Sequence, residues 1–284
     1  LYDKKCRRDT RIFRKGALIM IKLIATDIDG TLVPDGSDKI NPEIFEVIMH
    51  LKKQGIYFVV ASGRQWKSIE RLFMPIKDAI FYIAENGAYV GARGRELFTV
   101  PMKQEDVYEI VKQVRELGTC EVMVSGKDVI YIDSKNPVFI DYLINGYHNE
   151  VEQVKDLLMV KEEFIKVSIY HQGYQAYEAA GVVMEKNWGG KLKVVTAGKE
   201  WLDIMEKGVN KGAALNTIQE SLEIFREETM AFGDNLNDLE LLAAAEESYA
   251  IGNAREEVKK AAKYVTDTNV NDGVLKEIRK LVIK

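Results

Sequence analysis

Ile21-Lys22-Leu23-Ile24-Ala25-Thr26-Asp27-Ile28-Asp29-Gly30-Thr31-Leu32 is the stretch that decides the fold. Residues 21–26 are mostly apolar and alternate little, the pattern of a strand covered on both faces of a parallel sheet. The strand ends at two carboxylates. There the chain turns, so Asp27 and Asp29 can reach one site. By itself Asp-x-Asp-Gly also fits a plain turn, with Asp and Gly chosen for capping and positive φ.

Working outward, Asn41-Pro42 opens a helix with Ile44, Val47, Ile48 and Leu51 at helical spacing, and Gly55 stops it. Residues 56–61 form a second buried strand, Ser62-Gly63-Arg64 leads into a helix to about Phe73, and residues 79–84 form a third strand. This β-α-β-α-β run, with right-handed crossovers, predicts an α/β fold: a Rossmann-like parallel sheet with helices on both faces. All its strand ends share one edge, where open α/β sheets place their ligands.

After Glu85-Asn86-Gly87 the rhythm changes. A hairpin over 89–100, turning at Arg93-Gly94, precedes a helix over 104–117 and strands at 120–125 and 129–133. A helix over 137–158, a strand at 164–170, a helix over 174–188 and strands at 192–196 and 201–205 follow. Two αββ-like halves predict an inserted α+β cap over 101–202. The first rhythm returns with a strand at 229–232 that ends in Gly233-Asp234-Asn235, so residues 20–100 and 203–284 are expected to make one core domain.

Residues 1–19 carry seven Lys and Arg against two Asp and lack an apolar core, so they are not a secretory signal. Arg14-Lys15-Gly16-Ala17 is compatible with a purine-rich tract resembling a bacterial ribosome-binding site. The expectation is that Met20 is the native start and that 1–19 are an upstream extension.

Of the 284 residues, 46% are hydrophobic and 30% charged, with a formal charge of −4. A soluble globular protein fits, and a broad nucleic-acid or anionic-membrane surface does not. Cys6 and Cys120 make neither a disulfide framework nor a metal spacing, which suits a reducing cytoplasm. His50, His148 and His171 stand alone and are given no chemistry. A monomer or homodimer is expected.

The chemistry lies at strand and helix ends. Asp27 is placed as an in-line nucleophile on phosphorus and Asp29 as the group that handles protons. Ser62 and Gly63 open a helix, where free N–H groups favour a phosphate, although a simple cap reads equally well. Lys211 sits at a helix start, unfavourable for a cation unless an anion is near, although most lysines are only solvated. Asp234 is placed to ligate a metal, Asn237 to bond a phosphoryl group, and Asp238 to support the shell. Helix capping accounts for one or two of Asp234, Asn235, Asn237 and Asp238, not for all four.

The ordered set Asp27-Ile28-Asp29-Gly30-Thr31, Ser62-Gly63-Arg64, Lys211 and Gly233-Asp234-Asn235-x-Asn237-Asp238 resembles the four motifs of the haloacid dehalogenase superfamily, from Met20 onward. The long insertion resembles the C2-type cap of its Cof-type sugar-phosphatase subfamily. The resemblance implies a Mg2+-dependent phosphatase of small phosphorylated metabolites, sugar phosphates foremost. In it Asp27 attacks phosphorus, while the Asp29 side chain protonates the leaving oxygen and then activates water. The implied metal shell is the Asp27 carboxylate, the Asp29 main-chain carbonyl and Asp234, with phosphate contacts from Ile28, Ser62, Gly63, Lys211 and Asn237. Ion-pump members carry Thr at the place of Asp29, so Asp29 leans to hydrolysis. A phosphotransferase or mutase, and a non-catalytic phosphate-binding regulator, remain as alternatives. Specificity is expected in the cap, but Tyr131, Tyr170, Tyr174, Tyr177 and Trp188 read more naturally as cap core than as substrate ligands.

Overall fold

A computed structural model describes residues 11–14, 17–173, 175–197 and 199–282. Residues 1–10 and 15–16 of the basic leader, and Tyr174, lie outside them. Arg11–Arg14 (β1) and Ala17–Met20 (β2) pair as an antiparallel hairpin.

Leu23–Thr26 (β3), Tyr57–Ala61 (β4) and Phe81–Ala84 (β5) run parallel, joined through Glu43–Lys53 (α1) and Trp66–Leu72 (α2). The expected hairpin then appears as Tyr89–Ala92 (β6) and Arg95–Thr99 (β7), antiparallel on the β5 edge. The intervening stretch contains Gln104–Leu117 (α3), Glu121–Ser125 (β8), Ile130–Ile132 (β9), Pro137–Asp141 (α4), Val151–Gln153 (β10), Lys166–Tyr170 (β11), Val182–Trp188 (α5), Leu192–Ala197 (β12) and Trp201–Glu206 (β13). The chain continues through Lys211–Leu222 (α6), Thr229–Gly233 (β14), Leu239–Ala243 (α7), Glu247–Ala250 (β15), Glu256–Ala261 (α8), Tyr264–Val265 (β16) and Gly273–Val282 (α9).

Among the described residues, two large sheets form, with strand orders β16-β15-β14-β3-β4-β5-β6-β7 and β10-β9-β8-β11-β13-β12. In the first, β16 to β5 are all parallel, so the carboxyl ends of β3, β4 and β14 share one edge. Alternation along the buried strands splits the core in two. Ile24, Phe58 and Val60 pack with α1 and α9, whereas Leu23, Ala25, Val59 and Ala61 pack with α6, α7 and α8. The four residues that α1 buries, Ile44, Val47, Ile48 and Leu51, contribute about 1.5–3 kcal/mol each by leaving water.

The second sheet is two-faced for the same reason. Val122, Val124, Val167, Ile169, Leu202 and Ile204 pack together with α3 and α5. The opposite positions, among them Ser125, Lys166, Ser168, Asp203 and Met205, are buried too, and Met205 belongs to the core of the first sheet. The inserted sheet therefore rests its polar face on the parallel one. Its last strand runs to Glu206, past the expected junction at 202.

Residues 137–158, expected as one helix, divide. The helical part ends at Gly146, His148 takes a left-handed φ of 54°, and Val151–Gln153 joins the sheet parallel to β9. A residue at positive φ cannot continue a right-handed helix. Of the aromatics, Trp188 packs in the cap core, Tyr131 packs partly buried against it, Tyr170 is buried beside Phe139 and Trp201, and Tyr177 is exposed. No helix among the described residues is long and apolar enough to cross a membrane.

Candidate active site

Three carboxylates and one ammonium meet at the shared edge. Asp27 follows β3, and its main-chain N–H donates to Phe232 O on β14 at 3.1 Å, which fixes the strand end. Lys211 opens α6, where Asn210 caps the helix by accepting from Ala213 N at 2.7 Å. Its buried Nζ reaches Asp27 Oδ1 at 2.5 Å and Asp238 Oδ1 at 2.6 Å. Asp238 is fully buried, and its other oxygen accepts from the N–H groups of Asp234 and Asn235 at 3.0 and 3.1 Å. Asp234 accepts from Thr31 Oγ1 at 2.7 Å. Gly30, at φ 83°, leaves room for this contact, since a Cβ there would stand 2.3 Å from Asp234 Oδ2.

The charges do not balance. Burial and then the Asp238 carboxylate push Asp27 well above the usual carboxylate range, with Asp234 and Asp29 adding to this and Lys211 opposing it. Burial and Asp238 likewise push Asp234 up to about 7. Burial works against the charge on Lys211, but Asp238 and Asp27 outweigh it and hold it protonated.

That surplus of negative charge tests whether a cation fits. Carboxylate oxygens of Asp27, Asp234 and Asp238 lie within 4.8 Å of one another. Asp238 is committed to Lys211 and two N–H groups, whereas Asp27 and Asp234 each have one oxygen outside those bonds. An all-oxygen donor set with few carboxylates suits Mg2+.

The remaining expected residues fall differently. The Ile28 side chain is buried in the core. Ser62 and Gly63 follow β4, but α2 begins only at Trp66, and Ser62 Oγ accepts from Arg64 N at 3.1 Å. The Ser62-Gly63 turn, not a helix N-terminus, lines the edge. Asn237 donates to Asn86 Oδ1 at 3.1 Å. Asp29 turns its carboxylate to Arg64, which donates from Nε at 2.8 Å and from one terminal nitrogen at 2.6 Å.

Sequence reasoning assigned nothing to Arg64, Asn86, Lys166 or Asp203. Lys166 Nζ pairs with Glu85, lies 3.6 Å from Asp203 Oδ2 and donates to Gly63 O at 3.0 Å. Asn86 donates to Asp203 Oδ2 at 2.9 Å, and Ser168 Oγ to Asp203 Oδ1 at 2.6 Å. The signal was present: Lys166 and Asp203 are charges flanked by apolar residues in strand-like runs, and a buried charge needs a partner.

The fold and site together define an α/β enzyme with an acidic, lysine-braced site at the carboxyl edge of a parallel sheet, roofed by a second sheet. Residues 24–278 match the model of the haloacid dehalogenase-like hydrolases, and the chain belongs to that family. It is 29% identical over 262 residues to the 5-amino-6-(5-phospho-D-ribitylamino)uracil phosphatase YbjI of Escherichia coli, covering 92% of this chain and 96% of that protein. YcsE of Bacillus subtilis, which bears the same functional name, is 28% identical over 93% of this chain and 96% of its own length. Among solved structures, a Eubacterium rectale protein superposes with a TM-score of 0.84 at 38% identity, covering 92% of this chain and 99% of that one. The HAD subclass IIB sugar phosphatase BT4131 does so at 0.78 and 25%, covering 93% and 100%.

Proposed function

We propose that this hydrolase is a Mg2+-dependent phosphatase that releases phosphate from small phosphorylated metabolites through an aspartyl-phosphate on Asp27. It is a phosphatase of the haloacid dehalogenase type. The observation that carries the reading is Asp27 at a parallel-strand end, bonded to buried Lys211 and within reach of Asp234.

The Asp27 oxygen attacks phosphorus as the bond to the alcohol oxygen breaks, and the proton on Asp29 passes to that oxygen. Asp29 then removes a proton from water, which attacks the aspartyl-phosphate and restores Asp27. Lys211, the Ser62 hydroxyl and the Gly63 N–H offset charge on the phosphoryl oxygens, and Asn237 turns from Asn86 to bond them. The Asp27 and Asp234 carboxylates and the Asp29 main-chain carbonyl would hold Mg2+, which supplies charge neutralisation at the phosphoryl group.

Residues 101–202 are the cap domain on a core of residues 20–100 and 203–284, with the last cap strand running on to Glu206, and the cap sets the substrate. Sugar phosphates, and the phosphorylated ribitylaminouracil named for YbjI and YcsE, head the candidates. A cytoplasmic monomer or homodimer fits such a role. The test is a screen of phosphorylated metabolites with Mg2+, using Asp27→Asn as the blank and following free phosphate and organic product together. Phosphate release equal to alcohol release supports hydrolysis, and a phosphorylated second product points to transfer. Inactivity toward every ester, aryl phosphates included, rejects the reading.

A further inference from the structure

We propose that Asp38 and the cap residue His148 are positioning residues that couple docking of the cap to the acid/base carboxylate Asp29. This rests on the phosphatase reading above. Its starting point is the Arg64 guanidinium, whose side chain is only 3% exposed and which is gripped from two sides. Nε and one terminal nitrogen hold both oxygens of Asp29. The other terminal nitrogen donates to Asp38 Oδ1 at 2.7 Å, and the one that bonds Asp29 donates also to Ser37 O at 3.1 Å. A planar fork fixed at both ends has one orientation, so Asp38 determines where Arg64 holds Asp29.

Asp38 is in turn fixed from the other domain. Its second oxygen, Oδ2, lies 3.0 Å from His148 Nε2. His148 lies where the expected cap helix breaks, and its neighbours bind the segment that follows Arg64. Tyr147 O accepts from Ser68 Oγ at 2.9 Å, and Glu150 N donates to Gln65 Oε1 at 3.1 Å. The left-handed backbone at His148 thus sits between two cap-to-core bonds. With the cap docked, the order is His148, Asp38, Arg64, Asp29, each side chain touching the next. With the cap away, Asp38 loses its outer partner, and the fork is fixed from one side less firmly.

The consequence falls on one step. As the Asp27–phosphorus bond forms and the phosphorus–oxygen bond of the ester breaks, the proton on Asp29 goes to the departing oxygen. An alkyl alkoxide needs that proton, whereas p-nitrophenolate leaves without it. The relay therefore matters to alkyl esters and not to aryl ones, provided the parameter read ends at alcohol departure. That parameter is kcat/KM, because hydrolysis of the aspartyl-phosphate follows the first irreversible step.

The experiment compares wild type, Asp38→Asn and His148→Asn on an alkyl phosphate and on p-nitrophenyl phosphate, with Mg2+. Both positions are about one-third exposed, and Asn tolerates the positive φ at 148, so the variants should fold, which a melting curve checks. Asp38→Asn should lower kcat/KM for the alkyl ester on the order of 10-fold and His148→Asn about 3-fold, each leaving p-nitrophenyl phosphate within about twofold. Equal losses on both esters, or no loss on either, would overturn the relay while leaving the phosphatase reading intact. A folded wild type inactive on both esters overturns that reading, and the relay with it.

Discussion

Two buried ionic clusters lie close together in this molecule, and they are balanced differently. At the sheet edge, the ammonium of Lys211 pairs with Asp27 and Asp238, and Asp234 stands beside them bonded to Thr31. At the domain junction, Glu85 and Asp203 share Lys166, and Asn86, Ser168 and the Gly63 carbonyl supply further bonds. The junction cluster bonds both oxygens of Asp203, whereas Glu85 has only its ion pair with Lys166, against whose pull burial pushes it up. The edge cluster holds surplus negative charge that no cation among the described residues pairs with beyond Lys211. A site that waits for a cation and a phosphate is built at the expense of its own stability, and a joint between domains is not.

Asp27→Asn tests the first half of that contrast. Loss of the nucleophile should cut turnover on the order of 10⁴-fold or more. Because one surplus charge disappears, the melting temperature in metal-free buffer should hold or rise. A variant that melts clearly lower would mean that Asp27 is a structural partner of Lys211 first.

The same kind of change at the junction should do the opposite. Lys166→Met leaves two buried carboxylates facing each other and should cost about 3–5 kcal/mol of stability, read from denaturant unfolding. A cost below about 1 kcal/mol would show that water reaches the junction and that the two clusters do not differ in kind.

pH and Mg2+ together separate the clusters without a mutation: Glu85 is raised as well, so the pH slope belongs to both clusters and only its Mg2+-sensitive part to the edge. A carboxylate raised in the folded state binds more protons folded than unfolded, so stability is greatest at low pH and falls as pH rises from the ordinary value toward the folded one. For Asp234, raised to about 7, the loss between pH 6 and pH 8 should be about 1 kcal/mol in metal-free protein, and Asp27 acts in the same direction. Added Mg2+ should remove most of that pH dependence and raise the melting temperature at pH 8, with a chelator reversing both. A slope of the opposite sign would place the surplus charge elsewhere.

Much of the edge cluster was legible because sequence order and strand ends together dictate convergence. Asp27, Lys211, Asp234 and Asp238 are far apart in the chain, yet each stands where a parallel strand stops or a helix starts. The helix over 104–117 was equally plain, its buried Val107, Ile110, Val111 and Val114 lying at helical spacing. The bonds that side chains choose after convergence were not legible. Asp29 turns to Arg64 because a loop brings Asp38 and Ser37 to the same guanidinium, and no periodicity encodes that loop. Lys166 and Asp203 meet only after β11 and β13 pair, with Ser168 opposite Asp203. The break of the 137–158 helix turns on one left-handed residue, His148, whose side chain finds its partner in the other domain.

The smallest expected effect concerns a third pair that also crosses the domains. Lys193 on β12 donates to Glu240 on α7 at 3.1 Å, but the two side chains are 23% and 44% exposed. Water screens such a pair, and ordering two long side chains offsets much of its attraction, so its contribution is about 0.5 kcal/mol or less. Lys193→Ala should therefore change unfolding free energy by no more than that, and kcat/KM by less than twofold. Set beside Lys166→Met, it isolates burial as the variable, because both lysines bridge the same domains to a carboxylate. Should the two substitutions cost alike, bridging the domains, not desolvation, would be what the junction lysine contributes.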